Sequence, residues 1–295
     1  MLAVEYVLPR AAVDEEPQNE DGPSHCQTEA GERLKTLKQR VPMAQARLAR
    51  LGQTWSQFVN RGSRPPPSSS CVPINRAYHK MREMMLSCAI AIPERSVHLC
   101  EAPGGFVQAA AEKAPSTWEW RALTIASGPV PATSQLPPGG RFVFADVRTA
   151  ERSVLCEQGW ASLVTADGAQ EMDHDRLEEE HLPLLYAQTD WALACLATGG
   201  VMLIKFFEGM DIHTQSWIAL LTTRFATVAL IKPHTSRPTN SERYLVARGF
   251  GGECTPLPRT VRVCQTWRAA SLLPVLDRMA LTQASALAAA LDRVP

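Results

Sequence analysis

A chain of 295 residues, 45% of them apolar, has room for one large α/β domain with a full core and additions at either end. Thirty Lys and Arg residues against thirty Asp and Glu leave no formal net charge, which excludes a chain-wide cationic coat; any nucleic-acid surface must come from local segregation of charge. The eight cysteines form no C-x-x-C pair and no Cys–His cluster, so neither a disulfide framework nor structural zinc is expected, no metal is called for, and a reducing compartment is favoured. The start lacks the basic-then-apolar profile of a secretory signal and no apolar run is long enough to span a membrane. The expectation is a soluble, intracellular protein, with nucleus and cytoplasm, and a cellular or a viral host, left open.

Residues 1–30 carry Asp14, Glu15, Glu16, Glu20 and Asp21 among Pro, Gly, Asn and Ser with few apolar anchors, the composition of an unstructured segment. Residues 31–70 read as a basic helical arm followed by a Pro/Ser linker. Leu34, Leu37, Leu48, Leu51, Trp55 and Phe58 interleave with Arg33, Lys35, Lys38, Arg40, Arg47 and Arg50, and Pro42 and Gly52 break the pattern into pieces. Such an arm suits RNA phosphates as well as it suits a solvated helix face. Residues 61–70 cannot continue a helix and mark a boundary. Residues 71–254 then read as one domain, and the Leu/Ala-rich residues 255–295 as a C-terminal helical extension broken near Pro274.

Within the domain, residues 74–86 repeat apolar side chains at helical spacing. The stretch from Ser96 through Leu99 is an apolar strand, Cys100-Glu101-Ala102-Pro103-Gly104-Gly105-Phe106 a turn with adjacent glycines, and an Ala-rich helix follows. Strands are predicted at 120–126, 141–146, 161–168 and 200–205, helices at 177–196 and 212–225, and a closing pair of strands at 228–231 and 244–247. Alternation of this kind argues a doubly wound, mostly parallel sheet, and the last two strands lie too close in sequence for a helical crossover, so they pair antiparallel.

In such a sheet the first strand-to-helix turn lies at the carboxyl edge, where glycines admit close approach of a ligand and a helix start offers N–H groups. It is the candidate cofactor cradle, although neither G-x-G-x-x-G nor G-x-x-x-x-G-K-[ST] is present. Asp167 and Lys205 each end an apolar run at the same rim, Lys80 lies on the helix before the first strand, and Glu242 stands just before the last strand.

These residues in this order carry a resemblance. The Glu101-Ala102-Pro103-Gly104-Gly105-Phe106 turn, Arg76-Ala77-x-x-Lys80, Asp167-Gly168, Ile204-Lys205-Phe206-Phe207-Glu208-Gly209 and Ser236-Arg237 with Ser241-Glu242-x-Tyr244 resemble the motifs of the FtsJ-like S-adenosylmethionine-dependent RNA ribose 2′-O-methyltransferases over residues 74 to about 250. The resemblance implies a Rossmann-like methyltransferase fold, a mostly parallel seven-stranded sheet with an antiparallel last strand, flanked by N- and C-terminal helices. It implies a catalytic tetrad of Lys80, Asp167, Lys205 and Glu242, and a cofactor site of Cys100, Glu101, Ala102, Pro103, Gly104, Gly105, Phe106, Asp146 and Asp167, with Asp146 accepting from the adenine amino group. The second predicted strand runs into Ala126-Ser127-Gly128 instead of the acid that many methyltransferases use to hold the cofactor ribose, so Glu101 or a backbone group must substitute. The form of the turn favours the branch acting on messenger RNA caps, with capped RNA and a capping-machinery partner. Trp55, Phe58, Trp118 and Trp120 offer stacking surfaces or core. Alternatives are a ribosomal- or transfer-RNA enzyme, a catalytically silent RNA-binding scaffold of the same fold, and a nicotinamide-dependent oxidoreductase.

Overall fold

A computed structural model describes residues 5–11, 13–14, 28–59, 72–155, 157–170, 172, 176–259 and 261–295; the predicted linker at 61–70 lies outside them. The N-terminal part holds strands β1 (Glu5–Leu8) and β2 (Val13–Asp14) and helices α1 (Glu29–Gln39), α2 (Val41–Arg50) and α3 (Trp55–Val59). The domain then runs α4 (Arg76–Ser87), β3 (Arg95–Leu99), α5 (Gly105–Ala111), β4 (Glu119–Thr124), β5 (Gly140–Phe144), β6 (Ala161–Ala166), α6 (Leu177–Cys195), β7 (Leu196–Phe207), α7 (Ile212–Arg224), β8 (Phe225–Ile231) and β9 (Glu242–Phe250). Strand β10 (Arg262–Val263), the short helix α8 (Gln265–Trp267) and the long helix α9 (Leu273–Leu291) close the chain.

The main sheet has eight strands in the order β1-β8-β9-β7-β6-β3-β4-β5, one more than the seven predicted. The addition is β1, which pairs antiparallel along β8 from Glu5↔Ile231 to Leu8↔Val228. This corrects the reading of residues 1–30 as unstructured for the part that is described. Four residues are too few for a periodic signal, and what holds them is distant: Glu5 pairs with Arg248 at 2.7 Å, Trp267 Nε1 donates to the Pro9 carbonyl, and the Ala11 amide donates to Thr222. Strand β9 runs antiparallel to both β7 and β8, as predicted for the last strand, while β7, β6, β3, β4 and β5 are mutually parallel.

One apolar cluster joins α1, α6, α7 and α9 to one side of the sheet, through Leu34, Leu37, Leu185, Trp217, Leu276 and Leu287. A second joins α4 and α5 to the other, through Tyr78, Met81, Met84, Phe106 and Val107. Strand alternation sorts the side chains between the two: Leu203 and Tyr244 belong to the second cluster, Ile204, Phe206 and Leu245 to the first. Phe58, Trp118 and Trp120 are buried in this packing and Trp55 is half-buried against Phe58, so these aromatics serve the core. The arm breaks where predicted, with Pro42 in the first turn of α2 and Gly52 at φ +69°. Arg33, Lys35, Arg40, Arg47 and Arg50 are exposed on it. Among the described residues no helix is long and apolar enough to cross a membrane.

Candidate active site

The site forms at the carboxyl rim of β3, β6 and β7, and its parts arrive by register. Lys205 on β7 lies opposite Tyr244 on β9, and Phe207 opposite Glu242, so the period of two sets Lys205, Tyr244 and Glu242 on one face. Asp167 follows β6, one strand over. Helix α4 completes the group from above that face. Its N-cap Asn75 accepts from the Ala77 and Tyr78 amides and fixes the start of the helix, which presents Arg76, Lys80 and Glu83 at i, i+4 and i+7 along one stripe.

The four predicted residues meet. Lys80 Nζ lies 3.0 Å from Glu242 Oε2 and 3.5 Å from Asp167 Oδ2. Lys205 Nζ lies 3.1 Å from Asp167 Oδ1 and 4.0 Å from Glu242 Oε2, and donates to the Asp167 carbonyl at 2.7 Å. Each keeps only 7% to 13% of its side-chain surface open, enough burial for the charges to act on one another in a medium far less screening than water. Burial alone would lower the Lys80 ammonium, but the Asp167 and Glu242 carboxylates outweigh it and its pKa stands raised. Burial works against the Glu242 charge as well, yet Lys80, Lys205 and Lys232 bring its carboxyl down to about 2. Lys80 and Glu242 therefore stay charged through the neutral range.

Residues that sequence reasoning left without a role support these four. Tyr244 donates its hydroxyl to Asp167 Oδ1 at 2.7 Å, and burial together with the neighbouring carboxylates holds that phenol far above its usual range. Ser236 donates to Glu242 Oε1 at 2.8 Å. Lys232, half-buried and brought down to about 7 by desolvation, donates to the Glu242 and Asn240 carbonyls and ties the loop before β9 to the strand it leads into. From α4, Glu83 accepts from the His234 and Thr235 amides and the Thr235 hydroxyl, and Arg76 donates to the Thr235 carbonyl. The signal for Arg76 and Glu83 was their helical spacing around Lys80. For Lys232 no local signal exists.

The turn after β3 differs from its reading in one respect. Glu101 is buried, and its Oε1 accepts from the Phe106 and Val107 amides at 2.8 and 3.0 Å, so two of the N–H groups at the start of α5 are taken up within the chain. Burial pushes the Glu101 carboxyl up to about 8, opposed by the Val107 amide. Phe106 is also fully buried, packed toward Tyr244 with ring centroids 6.2 Å apart. Cys100, Ala102 and Pro103 retain partial exposure. Gly104 takes φ +120°, a conformation that suits glycine, and a Cβ on Gly105 would fall 2.1 Å from Asn75 Oδ1, so the second glycine is what lets α4 and α5 start side by side. Asp146 lies two residues beyond β5 at the same rim, with both carboxylate oxygens held by Arg148, whose hydrogen bonds lower its pKa.

The fold is that of a Rossmann-like methyltransferase, with a charged cluster and a glycine turn at the carboxyl rim of a doubly wound sheet. A model of the family described as FtsJ-like methyltransferase matches residues 73–250, more than half of the chain, and the chain belongs to that family, whose methyl donor is S-adenosylmethionine. It is 31% identical over 196 residues to cap-specific mRNA (nucleoside-2′-O-)-methyltransferase 2 of Drosophila melanogaster, covering 56% of this chain and 28% of that protein. It is 35% identical over 98 residues to the cap-specific mRNA (nucleoside-2′-O-)-methyltransferase of Autographa californica nuclear polyhedrosis virus, covering 32% and 37%. To the tRNA (cytidine(32)/guanosine(34)-2′-O)-methyltransferase of Mus musculus it is 28% identical over 163 residues, covering 53% and 48%. The chain thus spans less than half the length of these curated relatives.

Proposed function

We propose that the protein transfers a methyl group from S-adenosylmethionine to a ribose 2′-hydroxyl of RNA, with Lys80, Asp167, Lys205 and Glu242 as the catalytic tetrad and the mRNA 5′ cap region as the substrate. The observation that carries this reading is the meeting of two lysines and two carboxylates, from four separate elements, within 4.0 Å at one rim. Cys100, Ala102, Pro103, Gly104 and Asp146 would hold the cofactor, with Glu101 and Phe106 shaping the turn from behind; Asp146 would share its carboxylate between Arg148 and the adenine amino group. When bound, S-adenosylmethionine supplies an electrophilic methyl group on a sulfonium sulfur.

The chain's own residues supply the rest. A ribose hydroxyl attacks well only as its proton leaves, and a lysine takes that proton only as the free amine. Lys205 Nζ has two acceptors in place, the Asp167 carbonyl and carboxylate. A neutral amine would donate its two hydrogens to them and keep its lone pair for the hydroxyl, so Asp167 orients the base. Lys80, held charged by the carboxylates, stabilises negative charge developing on the attacking oxygen. Glu242 anchors Lys80, and Tyr244 fixes Asp167. The proton of the hydroxyl ends on Lys205 and the methyl group on the oxygen.

For the cap, support comes from the two relatives named cap-specific; the tRNA-directed relative makes transfer RNA the second reading, and a capping-machinery partner follows only from the first. The test is transfer of labelled methyl to matched capped and uncapped RNAs, followed by digestion to locate the label. Label on the ribose next to the cap is expected, absent with Lys205→Ala. Label only in uncapped RNA would move the protein to the transfer- or ribosomal-RNA branch. Cofactor binding with no transfer to any RNA would leave a silent scaffold.

A further inference from the structure

The residues that alternate with the tetrad along β7 and β9 turn away from it, toward the helices that lie outside the family-matching region. Just past the end of β7, Glu208 donates its amide to the Ser241 carbonyl at 3.1 Å and extends the β7–β9 pairing by one step beyond Phe207↔Glu242. Glu208 is three residues from Lys205 and Ser241 adjoins Glu242. The Glu208 carboxylate accepts from Ser241 and pairs with Lys38 in the last turn of α1. Its carbonyl accepts from Arg243. From α9, Gln283 donates to Ser241 Oγ at 3.2 Å and to the Thr239 carbonyl at 3.4 Å. The helices α1 and α9 pack against each other and share the apolar cluster on that side of the sheet. A bond from each terminal helix thus converges on one pair of residues, and that pair joins the two strand ends bearing Lys205 and Glu242.

We infer that α1 and α9 form a built-in buttress for the tetrad, with Lys38 and Gln283 as positioning residues that fix the spacing of Lys205 and Glu242 through Glu208 and Ser241. The inference rests on the function proposed above. Its physical basis is that the carboxylate of Glu208 is mostly buried, with 15% of its side-chain surface open, and needs its cation. Without Lys38 it is freed to turn toward water and release Ser241, and the strand ends lose the clamp that the terminal helices provide. Neither Lys38 nor Gln283 reaches the reacting atoms, so they act on the geometry of the base and not on cofactor binding, where small misplacements carry large rate costs.

The experiment compares the full chain with Lys38→Met, Lys38→Arg, Gln283→Leu and the Lys38→Met/Gln283→Leu double variant, by single-turnover methyl transfer, cofactor affinity and hydrogen exchange of the Glu208 amide. Lys38→Met should slow transfer about tenfold and Gln283→Leu several-fold. Cofactor affinity should be unchanged, Lys38→Arg should hold most of the rate, and the double variant should be little slower than Lys38→Met alone, because both bonds act on one unit. Exchange at Glu208 should rise about tenfold in Lys38→Met while the β3–α5 turn stays protected. Unchanged exchange and rate, or loss of rate in step with cofactor affinity and melting temperature, would overturn the inference. If the unaltered chain transfers no methyl to RNA, the proposed function fails, and the exchange measurement still decides whether the terminal helices hold the rim.

Discussion

The turn after β3 and the turn after β7 stand at the same carboxyl rim with β6 between them, and a buried carboxylate organises each. In the first, Glu101 reaches five and six residues ahead to the Phe106 and Val107 amides. In the second, Glu178 on α6 crosses more than thirty residues of sequence to accept from the Gly209, Met210 and Asp211 amides at 2.9, 3.0 and 3.1 Å. Burial pushes both carboxyls up, Glu101 to about 8 and Glu178 to about 7. The β3–α5 turn is therefore capped by a carboxylate of its own, while the segment following Lys205 depends on α6, β9 and the terminal helices. Damage to the first should appear in cofactor affinity, and damage to the second in turnover.

The largest effect is expected from Glu178→Ala, which leaves three buried amides without an acceptor; at about 1–3 kcal/mol for each orphaned group, the loss should be on the order of 3–9 kcal/mol. Urea unfolding should show it against Glu179→Ala, an exposed neighbour, and equal midpoints for the two variants would break the comparison. Glu101→Ala orphans two amides and should cost about 2–6 kcal/mol. Calorimetric titration should show weakened cofactor binding beyond what Glu178→Ala causes; an unchanged affinity would mean that the shape of this turn does not depend on its cap.

A smaller effect sharpens the same contrast. Between the ordinary 4.5 and their raised values, Glu101 and Glu178 hold protons in the folded state that the unfolded chain releases, so their own contribution to stability falls as pH rises through that window. Opposing contributions come from His98 and His181, lowered by burial to about 3 and about 4, whose part in stability rises with pH up to about 6.5; Glu242, lowered to about 2, loses its stabilisation only as pH drops below about 4.5, and Lys232, lowered to about 7 from 10.5, raises stability only above about 7. Urea unfolding at pH 5 and pH 7 should therefore give a change in stability that is displaced upward in Glu101→Gln and Glu178→Gln relative to the unaltered chain, and identical changes in all three would contradict the burial argument.

Much of this could be read from the chain alone, for physical reasons. Parallel strands buried on both faces are continuous apolar runs, so a charge that ends one, as Lys205 and Asp167 do, marks the rim. The turn was legible as glycines between strand and helix. What escaped depends on contacts distant in sequence. β1 is four residues stitched down by Arg248, Trp267 and Thr222. Glu178 opens the run Glu178-Glu179-Glu180, and only the folded chain distinguishes the one that is buried. The clamp joins Lys38 to Glu208 across 170 positions and Gln283 to Ser241 across 42. Glu101 was recognisable by its motif, but its bonds to the Phe106 and Val107 amides are visible only in the folded chain.

The central claim, that Lys205 serves the transfer step while the β3–α5 turn serves the cofactor, is tested most directly by single-turnover methyl transfer at saturating cofactor with Lys205→Met, alongside calorimetric measurement of cofactor affinity. The account predicts a rate lower by about 10²–10⁴-fold with affinity changed by less than about threefold. A variant that keeps the rate, or loses it only in proportion to lost cofactor binding, would contradict it.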